Sequence, residues 1–361
     1  MPKKPVLKSK ILPAEIVLHP SWWNKHAGII FDEDFFYHPL KRVEAERKME
    51  QVLYDRFGKY GLGQDHDKNL PVVGPVHLAA GYIMSDMLGC KIEYVADAAP
   101  RIKPLNIETL EANSDAAFKS NAFRRFESLL NKLKEKYGFV TGDVNWIGIL
   151  NLALDVRGNE ILTDMLLTPE EAIKYFRQIA AIEEKVAGYV YSHTRSTSIS
   201  VNRTVRHLEK PVFLHCHCPH TMIDEATYEQ TLLPFDIEWS KKNRPYGIHY
   251  CGRDPHRFAS LYAKIPHLDF LDLGWGGDVK YIREQLPDTF LNVRLDPVNI
   301  ASKSLKEIED TVIRLVEESN NPELTGVCCI NMDDKVSDDQ IAIIFETVNE
   351  LRKKYKSELQ A

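Results

Sequence analysis

The sequence predicts a single α/β domain built as a (β/α)8 barrel, with an N-terminal arm. Short apolar or β-branched runs alternate with longer amphipathic stretches from about residue 71 onward, and no linker or internal repeat divides the chain. A chain of 361 residues is long for one domain, but α/β barrels often reach this length. Seven strand signals indicate a closed barrel with one strand unrecognised, and a doubly wound open sheet is the alternative.

Residues 1–70 form the predicted arm and residues 71–361 the predicted barrel. The arm begins with an extended, aromatic-rich segment that contains Trp22 and Trp23, and continues into a helix over residues 39–57. The predicted barrel strands cover residues 91–96, 145–150, 211–215, 246–250, 270–273, 290–295 and 326–330. The predicted barrel helices cover residues 121–137, 168–191, 226–243, 254–263, 279–285, 304–318 and 338–355.

Composition excludes several classes of protein. Hydrophobic residues make up 44% of the chain and charged residues 27%, which is enough apolar content for a full core and excludes intrinsic disorder. The 46 basic residues are outnumbered by 52 acidic ones and form no long tract, so we expect no nucleic-acid partner. Apolar runs fall short of the roughly 20 residues that span a bilayer, and the N-terminus lacks a signal-peptide pattern. We therefore expect a cytoplasmic protein without a membrane segment.

A histidine and two cysteines at predicted strand ends suggest a metal site. In the segment Gly-Ile-His-Tyr-Cys-Gly, His249 and Cys251 are two residues apart, so both side chains point to the same side of a strand. Cys328 ends another predicted strand, and the carboxyl ends of barrel strands meet at one face. One imidazole and two thiolates make a three-ligand zinc site with an open position, as in catalytic sites. The alternative is a buried histidine with two packing cysteines.

A second run of histidines and cysteines follows the strand predicted at residues 211–215. It contains His215, Cys216, His217, Cys218 and His220. Because side chains alternate along a strand, the first two histidines and the two cysteines occupy opposite faces. We predict that the histidines belong to the wall of the substrate pocket, with plain packing and metal ligation as the alternatives.

Three further residues complete the predicted substrate pocket: Asp272, Trp275 and Arg294. Asp272 precedes a glycine-rich loop that lacks the strand–Gly-x-Gly-x-x-Gly–helix context of a dinucleotide site. Trp275 lies in that loop, near the predicted mouth of the barrel. Arg294 could bind a substrate carboxylate or a corrinoid group, and a salt bridge within the barrel is the alternative.

These motifs resemble the uroporphyrinogen decarboxylase superfamily, and more narrowly its zinc-dependent branch of cobalamin-dependent methyltransferases. The residues that carry the resemblance are Gly-Ile-His-Tyr-Cys-Gly at 247–252, Cys328, the segment 270–278 and Leu-Asp-Pro at 295–297. The resemblance covers about residues 75–355. The family's His-x-Cys pair and distant cysteine fall on His249, Cys251 and Cys328. Cys329 points to the opposite strand face and is expected in the core, with a ligand role in place of Cys328 as the alternative.

The resemblance implies a TIM barrel whose zinc binds and activates a thiol, and a methyl group that moves between this small substrate and a corrinoid such as methylcobalamin. It implies a corrinoid protein as partner, docked at the C-terminal mouth of the barrel, and no catalytic residue beyond the zinc-activated substrate. The methyl acceptor or donor would be a thiol such as coenzyme M or homocysteine, or a small methylated compound. A homodimer is one assembly that the sequence leaves open.

Two other functions remain as alternatives. A metal-free decarboxylase acting on a tetrapyrrole belongs to the same superfamily, but the arginine-rich N-terminal signature of those enzymes has no match here. A non-catalytic barrel that binds a metal or a corrinoid is the other, and three ligands argue against it because structural zinc normally has four. The His-Cys-His-Cys strand end departs from the acidic segment usual in the family, which leaves the substrate and the direction of transfer open.

Replacing Cys251 with alanine is expected to remove zinc and activity while the barrel stays folded, because an open catalytic site contributes less to stability than a structural one. Elemental analysis of the wild type and the Cys251→Ala variant measures this, with circular dichroism to check folding. Stoichiometric zinc in the variant would contradict a ligand role for Cys251.

Overall fold

The computed structural model describes residues 11–73, 82–142, 148–196 and 203–360. The strands are β1 (Ala14–Leu18), β2 (Val72–Val73), β3 (Lys91–Glu93), β4 (Arg101–Lys103), β5 (Thr141–Gly142), β6 (Phe213–Cys216), β7 (Tyr246–His249), β8 (Leu268–Asp272), β9 (Phe290–Arg294) and β10 (Thr325–Met332). The helices are α1 (Pro20–Ala27), α2 (Glu33–Tyr37), α3 (Pro39–Phe57), α4 (Tyr82–Met87), α5 (Ser114–Lys119), α6 (Asn121–Tyr137), α7 (Ile149–Arg157), α8 (Glu160–Leu167), α9 (Pro169–Thr194), α10 (Glu225–Thr231), α11 (Leu233–Lys242), α12 (Ala259–Tyr262), α13 (Val279–Gln285), α14 (Pro297–Ile300), α15 (Leu305–Ser319) and α16 (Asp338–Gln360).

Six parallel strands form one sheet in the order β1-β10-β9-β8-β7-β6, which curls into a half-barrel. The strands β6 to β9 are buried on both faces, as is typical of parallel strands covered by helices. In the described part of the chain, β2 and β5 pair in parallel with each other and not with this sheet. A half-barrel and a parallel pair are therefore observed, and closure into eight strands stays a prediction.

The segment predicted as an N-terminal arm supplies one edge of this sheet. β1 pairs in parallel with β10, so part of residues 1–70 lies in the same sheet as the predicted barrel strands. The aromatic segment predicted as extended forms the helix α1 instead. There Trp22 and Trp23 are fully buried and meet edge to face, with ring centroids 5.0 Å apart. The predicted helix at residues 39–57 is confirmed as α3.

One of the predicted barrel strands is wrong, and a second is wrong over the part that the structure describes. At residues 91–96 only β3 is extended, and it forms an antiparallel hairpin with β4. Its charged, partly exposed side chains do not suit a strand buried on both faces. Of the strand predicted at residues 145–150, residues 145–147 lie outside the described ranges, while Ile149 and Leu150 begin α7. A short apolar run does not distinguish strand from helix by periodicity alone.

The other five predicted strands are confirmed as β6 to β10, with ends that differ by at most two residues. The helix predicted at residues 226–243 is interrupted, because α10 ends at Thr231 and α11 begins at Leu233, next to Pro234. A proline has no N–H to continue the hydrogen bonds of a preceding helix. None of the helices in the described ranges combines the length and apolar content that a membrane span requires.

The strand register places four polar side chains in one row. Cys216 on β6 pairs with His249 on β7, His249 pairs with Asp272 on β8, and Asp272 pairs with Asn292 on β9. Register partners in parallel strands point to the same side of the sheet, so these side chains share one face. We call this the inner face and the four residues the polar row. Each of them is buried.

An apolar layer lies two residues before the polar row, on the same face. The rings of Phe270 and Phe290 stack there, with centroids 5.4 Å apart. A Cβ atom at Gly247 would lie 2.9 Å from the side chain of Leu214 and 3.0 Å from that of Phe270, so the glycine lets the neighbouring strands fill this layer. The polar row therefore rests on close apolar packing.

Arg283 on α13 connects several elements through buried hydrogen bonds. Its guanidinium donates to the carbonyl oxygens of Ser319, Leu286, Thr289 and Leu324, over donor–acceptor distances of 2.8, 3.0, 2.8 and 2.9 Å. These carbonyls come from the ends of α13 and α15 and from the segments that lead into β9 and β10. One side chain thus holds helix ends and strand beginnings together.

Replacing Arg283 with methionine is expected to lower the free energy of unfolding by about 3 kcal/mol, because several buried carbonyl oxygens lose their donor. Urea denaturation followed by circular dichroism measures the change. Arg314→Met on α15 is the control, since this exposed side chain pairs only at the surface with Glu318, and we expect a change of about 0.5 kcal/mol or less. Equal stability of the two variants would contradict the role of Arg283.

Candidate functional site

Three thiols and an imidazole converge where β6 and β7 end. The Sγ atoms of Cys216 and Cys218 are 3.1 Å apart, Cys218 donates to the Sγ of Cys251 at 2.7 Å, and the Nε2 of His249 lies 2.7 Å from that sulfur. The ligand atoms of Cys216, Cys218 and His249 all lie within 4.8 Å of one another. We call these four residues the sulfur cluster. Thiolate sulfur and imidazole nitrogen are the ligands that zinc prefers, so this donor set fits zinc.

The local backbone brings these strand ends together. β6 ends at Cys216, and the chain turns at once into the 3-10 helix Cys218–Met222, which has Pro219 in its first turn. The loops after β7 and β8 also approach closely, because a Cβ atom at Gly274 would lie 1.7 Å from the carbonyl oxygen of Gly252. Only glycine fits at that position. The loop that carries Cys251 is therefore packed directly against the loop after β8.

Asp272 orients the imidazole of the sulfur cluster. Its carboxylate accepts hydrogen bonds from Nδ1 of His249, from Nδ2 of Asn292 at 3.0 Å and from Nη2 of Arg294 at 3.3 Å. Burial alone would raise the pKa of Asp272, but Arg294 and His249 outweigh it and that pKa lies below its ordinary value. Because Nδ1 donates to an ionised carboxylate, Nε2 is the nitrogen that faces the sulfurs, as in carboxylate–histidine–zinc arrangements.

The thiol of Cys251 lies in surroundings that favour its ionised form. The hydrogen bond from Cys218 holds the pKa of Cys251 well below that of an ordinary cysteine, burial opposes this, and His249 and Arg294 lower the pKa further. Arg294 is itself buried, and both Cys251 and Cys328 lie in its electrostatic neighbourhood. Since the thiolate is the form that binds metals, the cluster is prepared for ligation.

Only two of the three predicted zinc ligands lie in the sulfur cluster. His249 and Cys251 are in contact, whereas the Sγ of Cys328 lies 3.1 Å from Nδ2 of Asn292 and 3.7 Å from the carboxylate of Asp272. Burial raises the pKa of the Cys328 thiol well above its ordinary value. Its ligand role stays a prediction. Cys329 packs in the main hydrophobic core on the other face of β10, as its neighbouring position predicts.

The sequence does not by itself join Cys216 and Cys218 to the metal site predicted at His249, although their positions contain part of the signal. Alternation along the strand predicts that Cys216 and Cys218 lie on one face and the neighbouring histidines on the other. What the sequence does not show is that β6 and β7 are adjacent, with Cys216 opposite His249. The pairing of strands is needed to join the two motifs.

The histidines of the same strand end lie on the opposite side of the sheet, against the helices. There they surround a buried carboxylate, and we call this group the Asp236 network. Asp236 accepts hydrogen bonds from His215 at 2.7 Å, His217 at 3.2 Å, Tyr228 at 2.6 Å and Tyr246 at 2.5 Å. These side chains are almost completely buried, and the ring of His220 stacks on that of His217 with centroids 3.8 Å apart. The pocket-wall role predicted for the three histidines does not fit this placement.

Hydrogen-bond directions make the Asp236 network a structural element. Ligand-type atoms of His215, His217 and Asp236 do lie close enough together for a metal ion. However, the backbone N–H of Ile149 donates to Nε2 of His215, so the proton of that ring is on Nδ1 and points to Asp236. Burial lowers the pKa of His217 to about 4, so this ring is neutral at pH 7. The two rings act as neutral donors to the carboxylate.

Two of the three remaining predicted pocket residues lie near the sulfur cluster. Asp272 and Arg294 point to the inner face and interact with its members. Trp275 is half-buried in the loop after β8, and within the described part of the chain its indole N–H is buried without a hydrogen-bond acceptor. Its neighbour Gly276 has φ +80°, a left-handed conformation that favours glycine. Trp275 thus lies in a tightly turned loop that follows the carboxyl end of β8.

Comparisons with known proteins show the fold. No protein-family model and no curated protein matches the chain. A solved methyltransferase from Methanosarcina mazei is similar with a TM-score of 0.61 and 12% identity, over 95% of this chain and 94% of the other. A B12-independent methionine synthase from Shewanella sp. W3-18-1, in complex with selenomethionine, gives 0.53 and 9% identity, over 98% and 99%. The shared fold is of the TIM-barrel type, which the resemblance noted in the sequence implies.

Replacing Asp272 with asparagine is expected to weaken zinc binding about 10- to 100-fold, because the amide does not fix the tautomer of His249 as the carboxylate does. Competition with a fluorescent zinc chelator measures the affinity. Asp310→Asn, on the exposed surface of α15, is the matched control and should bind zinc as the wild type does. Equal affinity of the two variants would contradict the orienting role of Asp272.

Proposed function

We propose that this chain is a zinc-dependent methyltransferase of a corrinoid system, which moves a methyl group between a corrinoid and a small thiol. The sulfur cluster carries the proposal, because it places a zinc-type donor set at the carboxyl edge of a TIM-type sheet, where such folds have their active sites. The similar solved structures are described as a methyltransferase and a methionine synthase, which supports methyl transfer.

The residues of the cluster divide into anchored and accessible donors. Cys216 and His249 are buried at strand ends, whereas Cys218 and Cys251 are half-buried and belong to the segments after those strands. Zinc, when bound, lowers the pKa of a coordinated substrate thiol, so that the thiolate is present at neutral pH. Asp272 keeps Nε2 of His249 directed at the cluster.

The four residues of the sulfur cluster would supply a complete zinc donor set, so a substrate thiol would have to take the place of one of them. Cys218 is the donor that we propose to leave. It lies on a 3-10 helix and not on a strand, and it is partly accessible. The predicted ligand set of His249, Cys251 and Cys328 would leave the fourth position open without such a replacement. Arg294 and Trp275 are the side chains proposed to line the substrate pocket at this edge.

The corrinoid is the part of the proposal that rests on the resemblance in the sequence. We propose that a corrinoid protein docks at the carboxyl edge of the sheet, where the segment around Cys218 and the loop with Trp275 lie. Methyl transfer from cobalt requires an in-line approach of the thiolate, and an open edge permits this. One of the similar structures is described as independent of B12, so dependence on a corrinoid is the property to measure first.

A second candidate function follows from the same four donors. Structural zinc sites normally have a complete tetrahedral shell, and the sulfur cluster could supply one. The protein would then be a binding barrel stabilised by zinc, without thiol activation. The two candidates differ in what the loss of one accessible donor does to metal content, stability and methyl transfer.

We expect Cys218→Ser to keep near-stoichiometric zinc and a melting temperature within a few degrees of the wild type, because the donors proposed to stay bound, Cys216, His249 and Cys251, all remain. Wild-type protein should transfer the methyl group of free methylcobalamin to at least one thiol of a panel that includes coenzyme M and homocysteine. Elemental analysis, calorimetry and the loss of the methylcobalamin absorbance measure these properties. Cys90→Ser is the control, since Cys90 lies beside Asp155 and away from the cluster.

Three outcomes would contradict the proposal. Wild-type protein that contains no zinc would exclude the metal site. Loss of zinc and a large drop in melting temperature in Cys218→Ser, with Cys90→Ser unaffected, would favour structural zinc. Zinc-loaded protein that transfers no methyl group from methylcobalamin to any thiol of the panel, in either direction, would exclude corrinoid dependence.

A further inference from the structure

We infer that Cys218 and Cys251 form a site of reversible oxidation, in which a peroxide or a small disulfide converts the two thiols into a disulfide bond when no metal occupies the sulfur cluster. This inference concerns the thiol chemistry of the chain and does not require methyl transfer. It rests on the distance between the two sulfurs, on their accessibility and on their positions in separate segments of the chain.

The geometry singles out this pair among the six cysteines. The Sγ atoms of Cys218 and Cys251 are 2.7 Å apart, so they need to approach by only about 0.7 Å to reach the bond length of about 2.05 Å. Both residues are partly exposed, whereas the other four cysteines are buried. Cys216, the third thiol of the cluster, is 3.1 Å from Cys218 and buried at the end of β6, which makes it the less accessible partner.

Neighbouring groups favour reaction at Cys251 first. The Nε2 of His249 lies 2.7 Å from its sulfur, and Arg294 provides a buried positive charge nearby. A thiolate is the nucleophile in thiol oxidation and exchange, and the contacts with His249 and with Cys218 converge on the sulfur of Cys251. Cys218, which already donates a hydrogen bond to that sulfur, is then in place as the resolving thiol.

The chemistry balances with either reagent. The Cys251 thiolate attacks one oxygen of hydrogen peroxide, which forms a sulfenic acid and releases the other oxygen as hydroxide. Cys218 then attacks the sulfenic sulfur and releases the remaining oxygen as water, and the thiol proton of Cys218 balances the charge. Two thiols and one peroxide give one disulfide and two waters. With a small disulfide, Cys251 displaces one thiolate to form a mixed disulfide, Cys218 displaces the other, and two electrons pass from the protein to the reagent.

The disulfide and the metal exclude each other. The bond would remove two of the four donors of the sulfur cluster, and a zinc ion held by all four would block the reaction of either thiol. Oxidation thus lowers the capacity of the chain for zinc, and reduction restores it. The loop closed by the bond joins the segments after β6 and β7, which are already adjacent in the sheet.

The test uses zinc-free protein, prepared with a chelator and then treated with hydrogen peroxide or with oxidised glutathione. Free thiols are counted after denaturation with a chromogenic disulfide reagent, and a peptide map locates the linkage. We expect the six thiols to fall to four, a linkage between Cys218 and Cys251, full recovery with dithiothreitol, and no loss in zinc-loaded protein. The Cys90→Ser control should likewise lose two thiols, whereas Cys218→Ser should lose no pair.

Several results would overturn the inference: six thiols retained after treatment, a stable linkage between any other pair, or a paired loss in Cys218→Ser equal to that in the control. Cys251→Ser provides the same comparison if Cys218→Ser does not fold. Because thiol counts and peptide maps do not depend on turnover, this experiment can fail while the methyltransferase proposal stands, and the reverse also holds.

Discussion

The parallel pairing of β6 to β9 is the constraint on which the site depends. Each strand contributes one polar residue at the same level of the sheet, and the register brings Cys216, His249, Asp272 and Asn292 into one row. A slip of one residue in any strand would turn its polar side chain to the other face. The stacked rings of Phe270 and Phe290 oppose such a slip, because a strand that shifts its polar residue also shifts its ring out of the stack.

The two faces of β6 perform different tasks within a few residues. Cys216, and Cys218 just beyond the strand, supply thiols on one side, whereas His215 and His217 face the helices and donate to Asp236. Asp236 accepts hydrogen bonds from four side chains, two of which are the histidines at the end of β6. These bonds fix the strand end on the helix side of the sheet, while Cys216 and Cys218 remain directed at the neighbouring strand. Precise metal sites need such support from rigid elements. The Asp236 network therefore holds in place the strand end that carries Cys216 and leads to Cys218.

Much of this arrangement follows from local sequence, and the rest depends on contacts between distant segments. Strands β6 to β10 and the His249–Cys251 pair are predictable, because buried strands appear in the local sequence as short apolar runs with side chains that alternate between two faces. Local sequence does not show that β1 belongs to this sheet, because its partner β10 is more than 300 residues away in the chain. Cys328 matches a family pattern, yet its neighbours Asn292 and Asp272 are set by strand order and register. Periodicity also does not distinguish the first turn of α7 from a strand.

The pairing of β1 with β10 has a consequence for biosynthesis. β10 lies between β1 and β9 in the sheet, so β1 gains this partner only after residues 325–332 have been made. Contacts between such distant segments slow folding, because the chain must close a long loop before the contact forms. Until then the apolar strand Ala14–Leu18 has exposed N–H and C=O groups that other strands can pair with. We therefore expect the nascent chain to leave this strand unpaired with β10 until residues 325–332 have been synthesised.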